Sequence, residues 1–134
     1  MKTSVRLGFL ALATVVALVW SASSATAFSR VLKSGTSGTD VKCWQLSYNA
    51  SNSWMHYGNA VTVDGKFGAD TRYATMAFQR IYGEGGLVVD GMVGPRSSDA
   101  MRDALMDVEA YGTTAQDNAA RAAFDYCGQM LWPH

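Results

Sequence analysis

Asp64-Gly65-Lys66-Phe67-Gly68-Ala69-Asp70-Thr71 and Asp90-Gly91-Met92-Val93-Gly94-Pro95-Arg96-Ser97 are two copies of one pattern, offset by 26 residues. A third stretch, Gly35-Thr36-Ser37-Gly38-Thr39-Asp40-Val41, keeps both glycines but lacks the preceding Asp. An Asp side chain hydrogen-bonds its own backbone two residues on, and glycine takes the left-handed conformation that a tight turn needs. Each copy is followed by apolar residues at helical spacing. A turn-plus-helix unit used three times predicts an all-α fold.

Working outward from the repeat, a first helix is expected to start near Thr39, with Gly38 as N-cap and Asp40 favouring the helix dipole. Val41, Trp44 and Tyr48 give it one apolar face. Asn49-Ala50-Ser51-Asn52-Ser53 is expected to end it, because short polar side chains compete for the backbone. Trp54 to Val63 then reads as an aromatic connection, with Val61-Thr62-Val63 as a short extended segment. The second helix is expected over Ala69–Tyr82, burying Thr71, Ala74, Phe78 and Ile81, and Gly83 to Gly86 stop it. The third begins at Pro95, which fits a first helical turn, and turns Ala100, Met101, Ala104, Leu105 and Val108 inward. After a break at Tyr111-Gly112-Thr113, a fourth is expected from Thr114 to about Leu131. Its inward face is Ala119, Ala123, Tyr126 or Cys127, and Met130.

The first 27 residues read as a secretory signal peptide. Lys2 and Arg6 precede an uncharged run from Leu7 to Trp20, and Ala25-Thr26-Ala27 offers cleavage before Phe28. The run is shorter than the roughly 20 residues a membrane span needs. Removing 27 of the 134 residues leaves a one-domain chain with nine basic and eleven acidic residues, a net charge of −2. With no basic patch, nucleic-acid binding is not expected. Cys43 and Cys127, the only cysteines, are expected to pair in an exported protein. The alternative, a zinc site from Cys43, His56, Cys127 and His134, lacks the close paired spacing such sites use. No metal or cofactor is expected. Asn49-Ala50-Ser51 fits a glycosylation sequon and is read as chance.

Leu32, Gly35, Gly38, Val41 and Gln45, then Asp64 to Gly68, Thr71, Ala74 and Phe78-Gln79-Arg80, then Leu87, Asp90 to Pro95, Ser97, Met101 and Leu105 together resemble the peptidoglycan-binding domain found beside catalytic domains in bacterial cell-wall hydrolases. The resemblance covers Leu32 to Leu105 and implies a compact three-helix bundle with Gly-rich turns. In the repeat, Phe67 or Val93 plugs each turn into the core, Gly68 or Gly94 caps the next helix, and Thr71 or Ser97 can bond back to that cap. Gly35, Gly38, Gly65 and Gly91 complete the structural motif. The chain departs from the family at Trp44, which stands where Leu is usual, and in the long aromatic connection from Asn49 to Val63. It departs again at Gly83 to Gly86 and after Leu105, where the fourth helix and Cys127 are additions. The expected organisation is a signal peptide over 1–27, a peptidoglycan-binding-like domain over 28–109, and a helical extension over 110–134 packed on it.

The resemblance implies a secreted, monomeric, non-catalytic protein of the cell wall that binds glycan or stem peptide beside the two Asp-Gly turns. Expected ligand-binding residues are Trp54, Tyr57, Asp64, Lys66, Gln79 and Asp90. Exposed aromatic rings stack on sugars at low entropic cost, but Trp54 and Tyr57 could equally cover a small core. Asp64 and Asp90 read as turn formers more than as paired catalytic acids, and Asp40 and Asp70 as first-turn charges. No nucleophile or metalloprotease motif is present. Two alternatives remain: an inhibitor or escort of a secreted hydrolase, and a small wall hydrolase whose site is assembled only in space.

Overall fold

Three helices begin at the glycines that the repeat singles out. In a computed structural model of the chain, which describes residues 28–83 and 86–130, α1 spans Thr39–Met55, α2 Ala69–Ile81, α3 Pro95–Tyr111 and α4 Thr114–Cys127. A 3-10 turn, Gly128–Met130, follows. Gly38, Gly68 and Gly94 are the N-caps of α1, α2 and α3. The fold is all-helical, as expected, and the fourth helix is present. Residues 1–27, where a signal peptide is expected, Glu84 and Gly85, and the stretch from Leu131 to His134 lie outside the described residues.

The other three helices all pack on α1, and α3 also packs on α4. Trp44, Tyr48, Phe67, Phe78, Leu32, Val93, Met101 and Leu105 are fully buried between them. Phe78 is the hub of the aromatic core. Trp44 and Tyr57 meet it edge-on, with ring centroids 5.5 and 5.4 Å away, and Tyr82 stacks on it at 5.5 Å. Trp44 is accommodated because its indole N–H donates to Thr75 Oγ1 at 2.9 Å, so its one polar atom is satisfied in the core.

The N-terminal segment runs across the turns that precede α2 and α3. Leu32 exchanges both backbone bonds with Val93, at 3.0 and 2.8 Å. Phe67 accepts from Gly35 N at 3.0 Å and donates to Thr36 O at 2.9 Å, and Gly38 donates to Gly65 O at 2.9 Å. These pairings are isolated bridges. Arg30 ties the segment to Asp40 through Nε–Oδ2 at 2.8 Å and Nη2–Oδ1 at 3.0 Å. Asp40 is therefore more than the first-turn charge expected from sequence. The Arg30 hydrogen bond holds its carboxyl below the usual range.

α1 corrects the sequence reading most. It does not dissolve at Asn49–Ser53 but continues to Met55 and ends at His56, which takes the left-handed conformation at φ 57°. The asparagines do not compete for their own helix because the next loop occupies them, while Ser53 bonds back to Ala50 O at 2.6 Å without ending it. Asn49 bonds both Val61 N and Val61 O at 2.8 Å. Asn52 bonds Gly58 O at 2.9 Å and Gly58 N at 3.0 Å. Two further details differ. Ile81 is exposed at the end of α2. On α4, Ala120, Ala123 and Cys127 are buried, in place of Ala119 and Tyr126.

α4 runs antiparallel to α1 and is pinned at both ends. Thr113 and Gln116 form a capping box, and Gln116 Nε2 also donates to Ser53 O at 2.7 Å near the end of α1. At the other end Cys43 and Cys127 form the expected disulfide across 84 residues. Closing so long a loop removes conformational freedom from the unfolded chain, which is worth at most about 4.5 kcal/mol. Urea unfolding with and without reductant should show this difference in midpoint. Native-state hydrogen exchange should show α4 opening first once the bond is reduced. Equal midpoints would show that packing alone holds α4.

Candidate functional site

Each Asp-Gly turn is held by a buried glutamine from the helix before it. Gln45, on α1, accepts from Asp64 N at 3.1 Å and Gly65 N at 2.8 Å through Oε1. Its Nε2 lies 3.0 Å from each of Asp64 Oδ1, Lys66 O and Thr71 Oγ1. Gln79, on α2, repeats the set. Its Oε1 accepts from Asp90 N at 3.2 Å and Gly91 N at 2.9 Å. Its Nε2 lies 3.1 Å from Asp90 Oδ1, 2.8 Å from Met92 O and 3.1 Å from Ser97 Oγ, three acceptors around two N–H groups. Both glutamines are almost fully buried. A primary amide offers two acceptor and two donor positions, and here a turn and the helix after it use them all.

The repeat residues follow from this clamp. Gly65 and Gly91 both sit at φ 71°, and a Cβ at Gly91 would come within 2.7 Å of Arg72 Cγ. Only glycine fits such a position without strain. Phe67 and Val93 are buried, as the plug role requires. Thr71 and Ser97 do not bond back to the helix caps. Their hydroxyls complete the glutamine amides instead, a correction to the expected role.

The six residues expected to meet ligand have different environments. Gln79 is buried and its amide is taken by the turn, so it presents no free group. Tyr57 is also buried, with its hydroxyl 2.7 Å from Ser51 Oγ, and burial pushes its phenol well up. Both expectations of ligand contact are corrected on this ground. Trp54 is half-buried in the last turn of α1 and stacks on Tyr111 at 6.4 Å. Asp64 and Asp90 each accept from the amide two residues on, at 2.9 and 2.8 Å. The Lys66 amide, then Gln45, hold the Asp64 carboxyl below its ordinary range. Asp64 and Lys66 line a cleft of about 220 Å³ with Thr62 and Asp70. Asp90 lines a more apolar cleft of about 240 Å³ with Val31, Val88, Met92 and Arg96.

A larger groove lies where the chain departs from the repeat. It encloses about 500 Å³ between the loop Gly58–Val61 and α2, with Asp70 and Tyr73 on its wall. Asp70 also borders the cleft at the first turn. Tyr73 is 65% exposed. Sequence reasoning missed this wall. The available signal was Tyr73, an aromatic residue off the apolar stripe of α2.

Residues 52–101 match the model of the family described as putative peptidoglycan binding domain. The match runs from the end of α1 into α3, and takes in Gln79, both Asp-Gly turns and every residue of the groove wall except Tyr48. The family resemblance read from the sequence is therefore shown. No significant match to a curated protein or to a solved structure was found. α4 and Cys127 lie beyond the matched span.

The clamp makes two measurable predictions for the domain. Gln45→Leu and Gln79→Leu should each cost about 3 kcal/mol in urea unfolding, since each strands buried turn amides. A loss under about 0.5 kcal/mol would show that the turns hold without the amide. Asp64 has a depressed native pKa, so its stabilisation is present above the unfolded value near 4 and is lost as pH falls through the native value. The stability gap between wild type and Asp64→Asn should thus be open at pH 6 and close toward pH 2. A gap that stays constant would remove the assignment.

Proposed function

We propose that the protein is exported, is held at the cell wall by peptidoglycan, and does so without catalysing its turnover. The match to the family across both clamped turns is the observation that carries this reading. Three features support it. Residues 1–27 read as a removable signal. The Cys43–Cys127 disulfide suits an oxidising compartment. Asp64 and Asp90, the acids of the two Asp-Gly turns, are occupied by turn amides and the clamp. A general acid needs a pKa raised toward the working pH, whereas that of Asp64 is lowered. Among the described residues, no helix is long and apolar enough to cross a membrane.

In this reading residues 28–109 form the binding domain and 110–134 an extension on it. The extension favours a second reading, as an inhibitor or escort of a secreted hydrolase, because a bare wall anchor does not need α4. Sedimentation with purified sacculi tests the main reading. The expected result is saturable recovery in the pellet, lost on thermal unfolding, with no release of soluble wall fragments. Protein left in the supernatant at every salt and pH would refute wall binding. A stoichiometric hydrolase recovered with it from culture medium would then favour the second.

A further inference from the structure

We infer that the groove between the Gly58–Val61 loop and α2 is a saccharide site, with a sugar ring of the glycan strand stacked on Tyr73. The inference rests on the wall-binding reading and narrows it to one part of the polymer. At about 500 Å³ the groove is in the size range of small-ligand sites. Its loop is built before any ligand arrives. Asn49 and Asn52 hold both ends, and Tyr48 OH donates to Asn59 O at 3.2 Å. A site already ordered loses little entropy on binding.

The chemistry of the wall selects the ligand. Gly58 N, Gly58 O, Asn59 O, Val61 N and Val61 O are already bonded within the protein. Among the described residues, the Asn59 side-chain amide and the Asp70 carboxylate have no hydrogen-bond or ion-pair partner and border the groove. An amide and a carboxylate beside an exposed aromatic face suit a pyranose, which offers C–H groups on one face and hydroxyls at its edge. The only charged residue in the lining is Asp70, whose carboxylate can accept from sugar hydroxyls.

Titration calorimetry of the protein separates the possibilities, using peptide-free glycan strands prepared by amidase digestion and, in parallel, isolated stem peptides. Wild type should bind the glycan and not the peptides. Tyr73→Ala should weaken glycan binding about 10-fold, with an unchanged melting temperature, and Tyr73→Trp should restore it. Asp70→Asn should weaken it less. Sacculus binding without glycan binding, or a Tyr73→Ala protein that binds glycan like wild type, would overturn the inference and leave wall binding intact. Failure to bind sacculi at all would overturn both.

Discussion

The structure depends on a side-chain amide doing the work of a backbone. Gln45 and Gln79 reach from α1 and α2 into the following turn and satisfy its two inward N–H groups, its Asp and one carbonyl. In a small domain little backbone can pair in sheets, and buried amides left alone are costly. Among the described residues no strand does this work, only isolated bridges. The two clamps fix where α2 and α3 begin. The first copy of the repeat has no clamp of its own. It is instead hydrogen-bonded to the second turn through Gly35 and Gly38, so all three helix starts are fixed relative to one another.

Much of this was legible because the repeat is local. The glycine N-caps, the buried Phe67 and Val93, and the disulfide all follow from residue type and spacing. What was not legible depends on partners far away in sequence. Asn49 and Asn52 look like helix breakers until the loop they bond, up to Val61, is in place, and then they extend α1 through Met55. Gln79 looks like a surface amide beside Arg80, yet its acceptors lie 11 to 18 residues on. Tyr57 looks like a loop aromatic, but the same lacing folds it under the loop against Phe78. The capping box at Thr113 and Gln116 was within reach of the sequence, since a Thr followed three residues later by Gln is its signature.

The corrections move the candidate site without moving the family. Two of the six expected ligand residues are interior. Groove-lining Tyr73 and Asn59 lie outside the repeat, and Asp70 stands where the later copy has Arg96. The clamp and the lacing have the same effect on function: they order the groove wall and occupy most of its loop's backbone groups, so recognition is left mainly to a few side chains. α4 stands apart from this machinery, closing the opposite side of α1 and held there by Cys127 and Gln116.

The most direct measurement is an amide NMR titration of the labelled protein with soluble peptidoglycan fragments that carry both glycan and peptide. The account predicts saturating shifts at Gly58–Val61, Asp70 and Tyr73, with the Gly65 and Gly91 amides unmoved because both clamps stay closed. Shifts confined to the Trp54–Tyr111 end, or large shifts at Gly65 and Gly91, would contradict it.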